Sequence, residues 1–234
     1  MTREATEFNE VLAQYVPQSS DFYRRVRRAY DVLSQVKQQS DGHGITFVMR
    51  RDSRESTLDL YLADAHQYNG IPHNLNDPDI TEVVAERREK DLATIIDENN
   101  NIAGANVPLP MDVVAYKERH GISATMATFL GYDSGEDAPG ARTQSALCAT
   151  GIIGESICII TLGETRPDGR KGPINVYYNG DRIYNSSGRR MRWELAERRP
   201  EHSDNVVKFP GSTYGHYCGQ RDEQRCAAVV GGPV

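Results

Sequence analysis

Two glutamates, Glu155 and Glu164, are the only acids between Arg142 and Asp168, in the nearly uncharged stretch ARTQSALCATGIIGESICIITLGE (141–164). A carboxylate on a buried element costs several kcal/mol unless it is paired or hydrogen-bonded. An acid retained there can sit at the rim of a cleft and stabilise a cation that develops during reaction. The plainer reading puts each glutamate at the end of an element, facing water. Two basic segments, Arg24-Arg25-Val26-Arg27-Arg28 and Arg189-Arg190-Met191-Arg192, could contact phosphates. For Arg24, Arg27 and Arg28 of the first, the plainer reading is a solvated helix face.

Other chemistry has weaker support. His66 and His73 are seven residues apart with no carboxylate at ligand spacing, so no metal site is expected. His216 and Cys218 could form a nucleophile pair, but side chains two apart in an extended segment point to opposite faces. Of the four cysteines, Cys148 and Cys158 sit in apolar contexts and read as core residues. Cys218 and Cys226 close a short loop, either as a disulfide or as two thiols. No GxGxxG, P-loop or GxSxG occurs.

The elements that must position these residues read as one α+β domain over 1–234. Helical spacing of Phe8, Val11, Leu12 and Tyr15 predicts a helix over 3–16, ended by Pro17. A second helix is predicted over 21–38, with Ser20 as N-cap. Phe22, Val26, Ala29, Leu33 and Val36 share one face of it, and Arg24, Arg27 and Arg28 the other. Ile45–Arg51 and Thr57–Asp64 read as an antiparallel hairpin. Residues 79–90 look helical, 92–96 look like a strand or a short buried segment, and Pro110 suits the start of a helix. The middle is thus expected to be mainly helical. In the apolar stretch the first half reads as a central buried helix, and SICIITL either continues it or forms a strand. Ile174–Tyr178, the Asn179-Gly180 turn and Arg182–Tyr184 predict a C-terminal hairpin.

The net charge of −6 argues against non-specific duplex binding, though not against a local basic face. Mean hydropathy is −0.60, and no apolar run is long enough to cross a bilayer. The N-terminus shows no secretory signal, so the reading is a soluble chain made in the cytoplasm, with later export left open.

Taken in order, the segments resemble those of the ribosome-inactivating proteins, the ricin A-chain and Shiga toxin A-subunit family. FYRRVRRAYDVL looks like that family's early helix, and ITFVMRRDSRESTLDLYLADAHQYNG like its early strands. NIAG followed by a helix, then ATMATFLGYDS, looks like its middle helices. ALCATGIIGESICIITLGETR is similar to its central active-site helix, and MRWELAERR followed by KFPG to the segment carrying its tryptophan. The resemblance spans about residues 20–210.

It implies an rRNA N-glycosidase, a hydrolase and toxin that depurinates one adenosine of large-subunit rRNA and so inhibits protein synthesis. In this chemistry the ribose becomes oxocarbenium-like as adenine leaves. A carboxylate steadies that charge, an arginine receives electrons flowing into the base, and aromatic rings hold the flipped purine. The resemblance gives the carboxylate to Glu164, with Glu155 as rival, and the base-side cation to Arg166. That arginine lies two residues beyond Glu164, where the family has three. Tyr68 would stack the adenine and Trp193 support the pocket floor. Arg24, Arg27, Arg189 and Arg190 would contact the RNA. No cofactor or metal is required. The competing expectation is a non-catalytic RNA- or ligand-binding α+β protein.

Overall fold

The computed structural model describes residues 3–39, 44–52, 73–86, 92–109 and 141–188. Tyr68, Trp193, Arg189, Arg190, His66, His216, Cys218 and Cys226 lie outside these residues, as do the strand expected at 57–64 and the helix expected from Pro110.

The chain opens with α1 (Arg3–Leu12) and α2 (Asp21–Gln39). Ser20 caps α2 as its type predicts: the Tyr23 amide donates to Ser20 Oγ at 3.1 Å. One face of α2 buries Phe22, Val26, Ala29, Leu33 and Val36. Phe8 of α1 stacks on Tyr30 of α2 with ring centroids 4.0 Å apart, and Tyr184 packs edge-on against both. Such aromatic pairs contribute about 0.5–1.5 kcal/mol beyond their area.

β1 (Ile45–Arg50), α3 (Ile80–Glu86), β2 (Ala93–Ile96) and β3 (Ile102–Val107) follow. Then come α4 (Ala141–Ile153), a 3-10 turn (Gly154–Ser156), β4 (Ile157–Leu162), β5 (Ile174–Tyr178) and β6 (Asp181–Asn185). The strands form one mixed sheet in the order β3-β2-β1-β4-β5-β6. Among the described strands only β1 and β2 pair parallel. The class is α+β, with helices before the sheet, a buried helix within it and a hairpin at the end of the described chain.

The sheet lies between two layers. Phe47, Met49, Cys158, Ile160, Ile174, Val176 and Tyr178 point to the face covered by α1, α2 and α3. Val48, Ile95, Ile157, Ile159 and Tyr177 point to the other, where they meet Ala146, Leu147, Cys148 and Ala149 of α4. Strands covered on both faces read as unbroken apolar runs, which is why ICIITL resisted assignment from periodicity.

Two open alternatives are decided and one expectation changes. The central helix stops at Ile153, where Gly154 takes a left-handed φ of 78°. The β-branched run after it becomes β4, paired on both edges by β1 and β5. β1 has β2 and β4 as its neighbours, so it does not form the hairpin expected with 57–64. Residues 92–96, read as a strand or a short buried segment, form β2, which pairs antiparallel with β3. The Asn179-Gly180 hairpin is as predicted: both residues have positive φ (49° and 82°).

Candidate functional site

β4 fixes the positions of both glutamates. Glu155 precedes the strand and Glu164 follows it, so the two carboxylates stand roughly 25 Å apart at opposite ends of the sheet. They cannot serve one reacting centre. Glu155 is 68% exposed and pairs loosely with Arg51 at 3.7 Å. Glu164 is 55% exposed and lies 3.7 Å from the guanidinium of Arg142. Both occupy element ends facing water, and exposed pairs of this kind are worth about 0–1 kcal/mol.

Arg166 is exposed in the β4–β5 connection, where its amide donates to the Arg170 carbonyl at 2.9 Å. Among the described residues no ion pair joins it to Glu164. The guanidinium beside Glu164 comes instead from Arg142, in the first turn of α4. Sequence reasoning missed this partner because the two are 22 positions apart in the chain and meet only through the α4–β4 connection. The available signal was that Arg142 is the single basic residue of the apolar stretch before Arg166.

Arg142 is only 13% exposed. It packs over Gly44, just before β1; a Cβ there would collide with the guanidinium and meet the Leu162 carbonyl at 2.6 Å. On the same face a row of polar side chains crosses the sheet. Thr46 of β1 opposes Thr161 of β4, Thr161 opposes Asn175 of β5, and Asn175 opposes Asn185 of β6. The first three are buried, at 3%, 2% and 6% exposure. Asn185 Nδ2 donates to Asn175 Oδ1 at 2.7 Å, Arg182 reaches the same oxygen at 3.5 Å, and Asn175 Nδ2 reaches Thr161 Oγ1 at 3.5 Å. α4 closes over one end of the row, where Tyr177 Oη and Thr143 Oγ1 are 3.1 Å apart. This region brings together a mostly buried cation, an exposed carboxylate, the N-terminal turn of a helix and a strip of hydroxyl and amide groups.

The second missed arginine is Arg25. It is 4% exposed and donates to the carbonyls of Arg50 and Asp97 (2.7 and 3.1 Å) from Nη1, to that of Arg51 (2.7 Å) from Nη2, and to Asp21 from Nε. It closes the carbonyl ends of the parallel strands β1 and β2. Of the three arginines expected on a solvated face of α2, Arg24 is exposed, while Arg27 and Arg28 are half-buried.

His73 lies near Asp77 and Asp79, each offering a possible ligand atom within 4.8 Å of the others. These carboxylates are four and six residues on, a spacing the sequence reading passed over. Cys148 and Cys158 are buried free thiols, as expected for core residues, and burial pushes the Cys158 thiol far up. Among the described residues no helix is long and apolar enough to cross a membrane.

No known family model matches the chain, and no curated protein matches it. Among solved structures it is similar to a double mutant of DacA from Staphylococcus aureus, at 15% identity and a TM-score of 0.42. That alignment covers 70% of this chain and 89% of the other. It is also similar to a hypothetical membrane spanning protein from Bacillus cereus, at 15% identity and a TM-score of 0.42, covering 77% and 69%. Likeness at this level names no ligand and no activity for this chain.

Proposed function

We propose that this chain is a non-catalytic ligand-binding α+β protein. Its ligand is a small polar molecule with an anionic group, held where Arg142 and Glu164 meet the polar row. The supporting observation is that row: Thr46, Thr161 and Asn175 buried side by side in a sheet whose adjacent row on the same face, Val48, Ile159 and Tyr177, is apolar. Apolar side chains would pack this position at least as well, since buried polar groups return little net stability. Groups retained against that tendency suit a task other than folding. Arg142 would receive the anionic group, aided by the N-terminal turn of α4. Glu164 would accept a donor from the ligand. Nothing in this arrangement calls for bond breaking.

Thermal unfolding in the presence of nucleotides, sugar phosphates and dicarboxylates tests the reading. At least one class raises Tm by mass action, and Arg142→Met or Thr161→Val removes the shift. If none of these classes raises Tm, or the shift survives both substitutions, the reading fails.

The rRNA N-glycosidase reading stands second. It is favoured by the carboxylate–guanidinium pair of Glu164 and Arg142, with Arg142 in the part first given to Arg166. Membership in the ribosome-inactivating family, the large-subunit rRNA partner, and the stacking roles of Tyr68 and Trp193 all belong to this proposal. Its test is aniline-induced cleavage of rRNA after incubation with ribosomes. Cleavage that Glu164→Ala abolishes and Glu155→Ala spares would overturn the non-catalytic reading; no cleavage by the unaltered protein removes the enzyme.

A further inference from the structure

On the opposite face of the sheet, α2 carries a second concentration of charge. Arg24, Arg27, Arg28 and Asp31 follow the spacing i, i+3, i+4, i+7, which places them along one side of the helix. They line an open hollow of about 500 Å³, completed by Gln18, Tyr23 and Asn9. That volume is of the size that takes a small organic ligand.

The charges in the hollow are poorly matched by the protein itself. Arg24 is turned to Asp21 at 3.0 Å and to the Ser19 carbonyl at 3.3 Å. Arg28 Nε is fixed on the Leu75 carbonyl at 2.8 Å, and its two terminal nitrogens make no hydrogen bond among the described residues. Arg27 is half-buried and forms no hydrogen bond or ion pair among the described residues. Like charges at these spacings destabilise a helix by a few tenths of a kcal/mol per pair. Among the described residues Asp31 is the one carboxylate lining the hollow, and burial holds its carboxyl above the usual range although Arg27 and Arg28 draw it down. A bare anion would be repelled by Asp31, and a bare cation by the arginines.

We infer that this hollow binds a phosphate monoester that also carries an amino group, the phosphate on Arg27 and Arg28 and the amine on Asp31. A guanidinium fork takes two phosphate oxygens at once, and a carboxylate beside it selects for a hydrogen-bond donor. This site is separated from the Arg142 region by the sheet and does not depend on the function proposed above.

The test is calorimetric titration of the full chain with inorganic phosphate and with phosphoethanolamine. Phosphoethanolamine binds more tightly than phosphate. Arg27→Gln weakens both by about tenfold, the loss of one strong charge-assisted contact. Asp31→Asn reverses the preference, weakening phosphoethanolamine while strengthening phosphate, which a general loss of folding cannot do. Arg142→Met leaves both affinities unchanged, separating this site from the other. Equal affinity for the two probes, absence of binding by either, indifference to Arg27→Gln, or an RNA oligonucleotide that competes at lower concentration than phosphoethanolamine would each overturn the assignment.

Discussion

The two faces of the central sheet differ at neighbouring positions. Toward α2, the row Phe47–Ile160–Val176–Tyr184 is apolar and aromatic. One residue back along β1 and on the other face, the row Thr46–Thr161–Asn175–Asn185 is polar throughout. Both are largely buried. The first contributes to folding through apolar burial, at about 25 cal/mol per Å². The second contributes little by that route and gathers groups able to recognise a polar ligand. The contrast suggests a division of labour: the α2 face stabilises the sheet, and the α4 face exposes chemistry at one end of it.

Substitutions can break this contrast. The largest effect is expected on the apolar face, where Phe47→Ala lowers unfolding free energy by about 3–5 kcal/mol in urea titrations. A loss under about 1 kcal/mol would mean that this face is not the stabilising one. The same face should also be sensitive to alkali. Burial pushes the Tyr178 phenol up to about 12, with Glu155 adding to the effect, and it raises Tyr30 and Tyr184 as well. A pKa higher in the folded state than in the unfolded one means that folding retains a proton. That contribution is whole below the ordinary value of 10.0 and is lost as pH climbs through about 12. Stability should therefore stay level up to about pH 10 and decline above it, and Tyr178→Phe should make the decline shallower. An unchanged alkaline profile in that variant would count against the account.

On the polar face the effects should be smaller. Gly44→Ala forces Arg142 from its place and costs about 1–3 kcal/mol, with loss of any ligand-dependent rise in Tm. Thr46→Val should change stability by no more than about 1 kcal/mol in either direction, while weakening ligand binding. A cost near that of Phe47→Ala would show the row to be structural. Smallest of all, Glu155→Gln should change stability by less than about 0.5 kcal/mol, as for other exposed pairs.

Local rules reached as far as local forces do. The Ser20 cap, the α2 stripe, the Asn179-Gly180 turn and the burial of the apolar residues within 146–162 all follow from side chains acting within a few positions of one another. Periodicity could not divide the apolar stretch into α4 and β4, because a run buried on every side carries no amphipathic signal. The early hairpin was misassigned for a related reason: alternation marks a strand but not its partner, and β1 took β2 and β4 instead. The charged residues were read least well. Arg25, assigned to neither face of α2, lies inside and holds three carbonyls, and Arg142, the cation beside Glu164, was not singled out.

The sequence by itself determined where α2 runs, which of its apolar residues enter the core and where the last hairpin turns, since these depend on near neighbours in the chain; the first helix, expected over 3–16, ends at Leu12 and leaves Tyr15 exposed. Only the tertiary structure decided that Glu155 and Glu164 stand at opposite ends of the sheet, that Arg142 is the cation beside Glu164, and that Thr46, Thr161, Asn175 and Asn185 form one row. Those relations depend on strand register. Register comes from packing between segments more than a hundred residues apart, and a change of one residue would turn the entire row to the other face.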